Sequence, residues 1–170
     1  MILPALATAP PPLYNQVCIS DNIPCCRRAE RGTVIVKQTL GIVVVTFNSA
    51  AVIDGALRSI DEVVDCIVVD NGSSDETVAR AAVHGAQIIR LDTNVGFGTA
   101  CNIGARALSA PFVLFLNPDA RLRRGALRRL VDAAIEHPKW AAVNPRLLTS
   151  RGDHWHRQKS CLLTSDPMTG

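Results

Sequence analysis

Four short polar groups carry the residue types that could do chemistry, each following an apolar run: Thr46 and Asn48, Asp70 to Asp75, Asp92 to Gly98, and Asn117 to Asp119. A carboxylate such as Asp70 can accept hydrogen bonds from a base edge or a ribose hydroxyl. The Asn71, Gly72, Ser73, Ser74 stretch behind it suits a tight turn whose backbone N–H groups stay available. Gly96 and Gly98 would let backbone approach a diphosphate, and a helix starting there would favour its negative charge. Asp119, after Pro118, offers the hard oxygen donors that a divalent cation bridging two phosphates prefers. Asp75 has an equally simple structural role, as a cap for the turn and the next helix.

These groups matter together because of the elements that must hold them. Gly41 to Phe47 is an almost continuous apolar run, the pattern of a strand covered on both faces. Asn48 and Ser49 offer N-caps for a helix to about Ile60, with Val52, Ile53, Ala56, Leu57 and Ile60 on one stripe. Cys66 to Asp70 reads as a second strand, and Ser73 with Glu76 has capping-box spacing for a helix over 75–84, stopped by Gly85. Ala86 to Leu91 and Phe112 to Leu116 are further strands, Phe97 to Leu108 and Arg123 to Glu136 further helices, and Trp140 to Val143 one more short strand. Alternating strands and helices predict an α/β fold with a mostly parallel sheet flanked by helices. In such a sheet, ligands bind beyond the carboxyl ends of the strands, where all four polar groups fall.

Residues 1–38 combine proline and scattered polar residues without period and read as an irregular extension; 39–148 form the domain, and 149–170 a polar C-terminal tail. An apolar content of 48% with 19% charged residues is that of a soluble globular protein, and a net charge of +3 gives no ground for nucleic acid as a partner. Six cysteines without a CxxC pair point to a reducing compartment and a cytoplasmic location, with Cys66 and Cys101 as packing residues. The proline-rich start lacks the basic n-region of a secretion signal, and no apolar stretch reaches the roughly 18 residues of a membrane span. Contact with a membrane is therefore expected to be peripheral. A dinucleotide fingerprint is not met, because Cys101 stands where the third glycine of GxGxxG would be, and no GxxxxGK[ST] occurs.

Taken in order, IVVVTFNSA (42–50), IVVDNGSSDETV (67–78), NVGFGTACNIG (94–104) and FLNPDA (115–120) resemble the successive motifs of family 2 glycosyltransferases, over about Leu40 to Leu148. The resemblance implies a GT-A, Rossmann-like fold and inverting transfer of a sugar from a nucleoside diphospho-sugar, with Mg2+ or Mn2+ as the cofactor. It puts Thr46, Asn48 and Asp70 against the nucleoside, with Asn71 and Gly72 in the same turn, Gly96 and Asn102 near the donor, and Asp119 on the metal. The element that is DxD in much of the family is Asn117, Pro118, Asp119 here, similar to the rhamnosyltransferase-like branch. That branch implies a dTDP-sugar donor such as dTDP-rhamnose, with a UDP-sugar as the alternative, and a saccharide or polyprenyl-diphosphate-linked acceptor in cell-envelope or polysaccharide synthesis.

The family's acceptor half, with the carboxylate that acts as general base, should follow the matching region, so the fold is expected to be incomplete and the catalytic residue unassigned. Ser160 to Leu163 is similar to a run that some relatives carry before that base, and Asp153 and Asp166 are the candidate carboxylates. Inversion needs a base within about 3 Å of the attacking hydroxyl. Without one, the alternative is a truncated, non-catalytic nucleotide-sugar-binding fragment; a generic nucleotide-binding α/β domain is the third reading. Arg121, Arg123, Arg124, Arg128 and Arg129 concentrate positive charge that could meet anionic lipid or form a solvated helix face. His154, His156 and Cys161 lie close in sequence but lack a fourth ligand for zinc.

Overall fold

The computed structural model describes residues 2–4, 36 and 39–145. Its centre is strand β2 (Leu40–Thr46), buried at all seven positions as its unbroken β-branched run requires. The chain then alternates α1 (Ile53–Arg58), β3 (Asp65–Asp70), α2 (Thr77–Val83), β4 (Gln87–Arg90), α3 (Phe97–Arg106), β5 (Phe112–Leu116) and α4 (Ala126–Glu136). A short strand β1 (Ile2–Pro4) precedes them. The sheet order is β1-β5-β2-β3-β4; β2 runs parallel to β3 and β5, and β3 parallel to β4. Only β1 is antiparallel, with Ile2 opposite Leu114 and Pro4 opposite Phe112.

Alternation along the strands splits the core in two. Ile42, Val44, Val68, Leu114 and Leu116 pack against Ile53, Leu57, Ala81, Leu127, Leu130 and Val131 of α1, α2 and α4. On the other face Val43, Val45, Ile67 and Val69 meet Ala100 and Cys101 of α3. Gly104 makes that approach close: a Cβ there would lie 2.5 Å from Val43 Cγ1 and 2.9 Å from Val69 Cγ2. The result is a three-layer α/β/α domain whose strand register sets Thr46 beside Asp70 and Asp70 beside Arg90. Leu116 is opposite Val44, so Asn117 to Asp119 emerge at the same edge.

Several sequence expectations need correction. The extension 1–38 is not wholly irregular, because Ile2–Pro4 closes the edge of β5 and Val36 is buried in the core. Three residues are too few to show a period, and their pairing partners lie more than 100 positions away. Trp140 to Val143 is no strand: Val143 makes a single bridge, and Trp140 instead stacks on His137 with ring centroids 3.8 Å apart. Neither Asn48, Ser49 nor Ser73 caps a helix; α1 and α2 start later, at Ile53 and Thr77, without a side-chain cap. The last helix begins at Ala126, not Arg123, after Gly125 in the left-handed region (φ 73°). No helix among the described residues is long and apolar enough to cross a membrane.

Candidate functional site

The Asn48 and Ser73 side chains, which could have capped helices, tie the strand-end loops together, while the Ser49 hydroxyl turns back to the Phe47 backbone. After β2, the backbone N–H of Asn48 donates to Ser73 Oγ (2.9 Å), while Asn48 Oδ1 accepts from the Ser74 N–H (2.9 Å). The Ser49 N–H donates to Thr77 Oγ1 (2.7 Å) and the Ala50 N–H to Asp75 Oδ2 (3.0 Å). These bonds hold Asn48 at φ 49°, a left-handed conformation that few residues other than glycine adopt. Asp75 does act on the next helix, accepting from the Thr77 N–H (3.0 Å) and from the Thr77 hydroxyl. That hydroxyl, followed by the N–H groups of Ala50 and Thr77, holds its carboxyl below the ordinary value of 3.8 against the opposing effect of desolvation.

A second clamp joins the loops after β3 and β4. Asn71, 3% exposed, donates through Nδ2 to Asn94 Oδ1 (2.8 Å) and accepts at Oδ1 from the Val95 N–H (2.9 Å). Asn94 Oδ1 also accepts from the Gly96 N–H (3.0 Å), immediately ahead of α3. Glycine is required at 72: its φ is 84°, and a Cβ would stand 3.1 Å from the Thr93 carbonyl carbon. The loop carrying Gly96 is therefore fixed against the turn carrying Gly72, with the N-terminus of α3 open beside it.

Asp70 and Thr46 lie under these loops with no exposed surface. Asp70 Oδ1 accepts from Thr46 Oγ1 (3.3 Å), Oδ2 accepts from the Ser73 N–H (3.2 Å), and the Arg90 guanidinium Nε lies 3.9 Å away. A buried carboxylate needs such partners. Thr46 and Asp70, expected against the nucleoside, are enclosed at the sheet edge and hold the turn that follows β3. Beside them a cavity of about 260 Å³ is lined by Gly72, Ser73, Arg90, Leu91 and Asp92.

Past β5, the side chains of Asn117 and Asp119 are exposed, and that of Asp119 bonds to no described residue. The segment after them is fastened to α1 and its exit: Arg121 packs over Gly55, the Leu122 N–H donates to Ser59 Oγ (2.9 Å), and the Gly125 N–H to Asp61 Oδ2 (2.7 Å). No group of three or more His, Cys, Asp or Glu gathers among the described residues. The donor set at 117–119, one free carboxylate and one amide, fits a hard cation that takes its remaining ligands from phosphate oxygens and water.

Of the sequence-predicted residues, Asn48, Gly96, Asn102, Asn117 and Asp119 have exposed side chains or backbone, Gly72 is half-exposed, and Thr46, Asp70 and Asn71 are buried. Asn94 and Arg90 were missed. Asn94 lies inside a quoted motif yet carried no role, and Arg90 is the first charged residue after the apolar pair Ile88–Ile89, followed by a carboxylate at Asp92. Cys66 and Cys101 are packing residues as expected; burial pushes the Cys66 thiol up to about 11 and raises that of Cys101. Asp153, Asp166 and the His154, His156, Cys161 set lie outside the described residues.

The site thus sits on a mostly parallel sheet between two helical layers, with cross-linked loops at its carboxyl edge. The chain superposes on residues 1–349 of TarS from S. aureus with a TM-score of 0.55 and 25% identity, covering 65% of this chain and 38% of that one. The fold is of the GT-A transferase type. The chain belongs to glycosyl transferase family 2, whose model matches residues 41–166. That match continues through most of the segment set apart as a tail after 148, and it includes Asp153 and Asp166. An uncharacterized glycosyltransferase of Mycobacterium tuberculosis is 32% identical over 115 residues, 67% of this chain and 51% of that protein. An N-acetylglucosaminyl-diphospho-decaprenol L-rhamnosyltransferase of the same species is 32% identical over 126 residues, 64% of this chain and 41% of that protein. The chain thus spans about half the length of the curated relatives it matches.

Proposed function

We propose that the chain supplies the donor-binding part of an inverting glycosyltransferase that uses a nucleoside diphospho-sugar and Mg2+ or Mn2+. The observation that carries this is the pair of asparagine clamps, Asn48 to Ser73 and Ser74, and Asn71 to Asn94 and Val95. Through them three of the four motif loops become one rigid rim, and the fourth presents Asp119 at the same sheet edge.

On this rim the exposed backbone of Gly96 and the N-terminus of α3 take the diphosphate, Asn102 lies about one and a half turns further along that helix, and Asn48 and Gly72 flank the nucleoside. Asp119, with Asn117 beside it, would hold the divalent cation. When bound, the cation neutralises charge on the departing diphosphate. A general base must take the proton of the acceptor hydroxyl as it attacks the anomeric carbon, and Asp153 and Asp166 are the candidates within the family-matched segment.

The likeness to the mycobacterial rhamnosyltransferase supports a dTDP-rhamnose donor and a polyprenyl-diphosphate-linked saccharide acceptor. A UDP-sugar is the alternative donor. Exposed Arg123, Arg124 and Arg129 beside the metal turn favour an anionic membrane surface at the cytoplasmic face. Mass spectrometry tests the activity: incubation of the chain with dTDP-rhamnose, Mn2+ and a polyprenyl-diphosphate-linked N-acetylglucosamine should add one deoxyhexose to the acceptor. Donor binding without transfer to acceptor or water would favour a binding module instead.

A further inference from the structure

From Asn117 to Gly125 the chain forms neither helix nor strand, so the turn that carries Asp119 is not held by regular structure. The turn closes locally, with the Ala120 N–H donating to the Asn117 carbonyl (3.1 Å) and Pro118 fixing the backbone at its second position. Its near end is rooted in β5, which pairs with β2. Its far end runs into residues 121–125, and anchorage at one end alone would leave the Asp119 carboxylate free to move.

Residues 121–125 lie along α1 as a strap. Arg121 sits over Gly55, where a Cβ would stand 2.6 Å from its Nε, so the missing side chain makes room for the guanidinium. Just past α1, the Ser59 hydroxyl donates to the Ala56 carbonyl (2.6 Å) and, oriented by that bond, accepts from the Leu122 N–H (2.9 Å). Asp61 accepts from the Gly125 N–H (2.7 Å), where the chain turns at φ 73° into α4. These two bonds join positions 63 and 64 apart. The Gly125 N–H is exposed and water could satisfy it, so burial does not demand its bond; what the bond adds is a fixed course for the strap.

We propose that Ser59 and Asp61 are positioning residues for the metal turn, holding its far end through Leu122 and Gly125 so that the Asp119 carboxylate is already in place for a divalent cation. Neither side chain touches the cation or the donor; both act through the strap. The six residues of α1 then link the two parts of the site, because the Ser49 and Ala50 N–H groups ahead of the helix bond to Thr77 and Asp75 of the rim. A ligand fixed before binding loses less freedom when the ion arrives. The inference rests on the proposed metal role of Asp119.

Mn2+ binding to the full chain in excess UDP or dTDP tests this, read from the loss of the free-ion signal in electron paramagnetic resonance. Ser59→Ala, and independently Asp61→Ala, should raise the Mn2+ dissociation constant by about tenfold, the lower end for groups that orient metal ligands. Asp61→Asn keeps an acceptor oxygen and should restore most of the affinity. At saturating Mn2+ both alanine variants should bind nucleotide as the wild-type chain does, whereas a generally damaged site would stay weak at every metal concentration. Asp61 is exposed, so circular dichroism should report native folding of its variants. Folded variants with wild-type Mn2+ affinity, a loss that excess Mn2+ does not recover, or an Asp61→Asn no better than Asp61→Ala overturns the assignment. Each of these leaves the metal site standing if Asp119→Ala still abolishes Mn2+ binding. A wild-type chain that binds no Mn2+, or an Asp119→Ala chain that binds it equally well, overturns both.

Discussion

Replacing Asn71 with alanine removes two hydrogen bonds at once, those to Asn94 Oδ1 (2.8 Å) and from the Val95 N–H (2.9 Å). A typical bond contributes about 0.5–1.5 kcal/mol net. Asn94 and Val95 are themselves exposed, so water can satisfy them after the change, and the loss should be near the sum of the bonds, about 2 kcal/mol. For a chain of this size each kcal/mol lowers Tm by about 2–4 °C, giving a drop of about 4–8 °C. Thermal unfolding measures it, and a double-mutant cycle with Asn94→Ala isolates the shared bond. The two losses should be non-additive by about 0.5 kcal/mol or more, as contacting residues are. Because the clamp sets the Gly96 loop against the Gly72 turn, donor affinity should fall by more than stability alone explains at temperatures well below Tm. Strict additivity, or a variant with unchanged Tm and donor affinity, would refute the idea that this amide joins the loops.

Four other outcomes follow from the geometry. Gly104→Ala should destabilise the fold by about 1–3 kcal/mol in urea unfolding, since its methyl would meet Val43 and Val69 in a packed layer. Gly72→Ala should cost at least about 1 kcal/mol, because a left-handed φ of 84° is imposed on a residue with a Cβ that would crowd the Thr93 backbone. Asp119→Ala should leave urea unfolding within about 0.5 kcal/mol, its side chain being exposed and bonded to no described residue, while metal-dependent nucleotide binding is lost. Asp75 is held low chiefly by the Thr77 hydroxyl, and Asp54 by His84 Nε2 (2.7 Å) and then Arg80 (2.8 Å). Both carboxyls have folded values below 3.8, so their stabilisation is present above that pH and is lost as pH falls through the lowered values. Acid melts should accordingly show Asp75→Asn and Asp54→Asn converging on the wild-type chain below pH 3.8, and lagging behind it above.

The central strands could be read from the sequence because Val43 to Val45 and Ile67 to Val69 are β-branched runs too long and too apolar for anything but strands covered twice. The helices were placed correctly, but three of the four were begun too early, and the one from Phe97 starts where expected. Asn48 and Ser73 are good cap residues locally, yet their side chains are taken by loops 25–26 positions away, and a local rule cannot see such partners. The same blindness hid β1, whose pairing with β5 spans the domain, and the role of Asn94, whose partner Asn71 belongs to another motif. Strand order placed the four polar groups at one sheet edge. It could not tell which of them are enclosed, because Asp70 and Asp119 look alike as aspartates after strands: one lies beneath the Ser73 turn and the other stands clear of the fold.

The most direct test of the donor-site account is thermal unfolding of the chain with dTDP, UDP and their sugars, with and without Mn2+, beside Asp119→Ala. Ligand at 100 times its dissociation constant should stabilise the native state by about 2.7 kcal/mol, a shift well above error. The account predicts that at least one of these nucleotides stabilises the wild-type chain only when Mn2+ is present, and that Asp119→Ala abolishes the effect. A cooperatively folded chain that none of them stabilises, with or without metal, would contradict it.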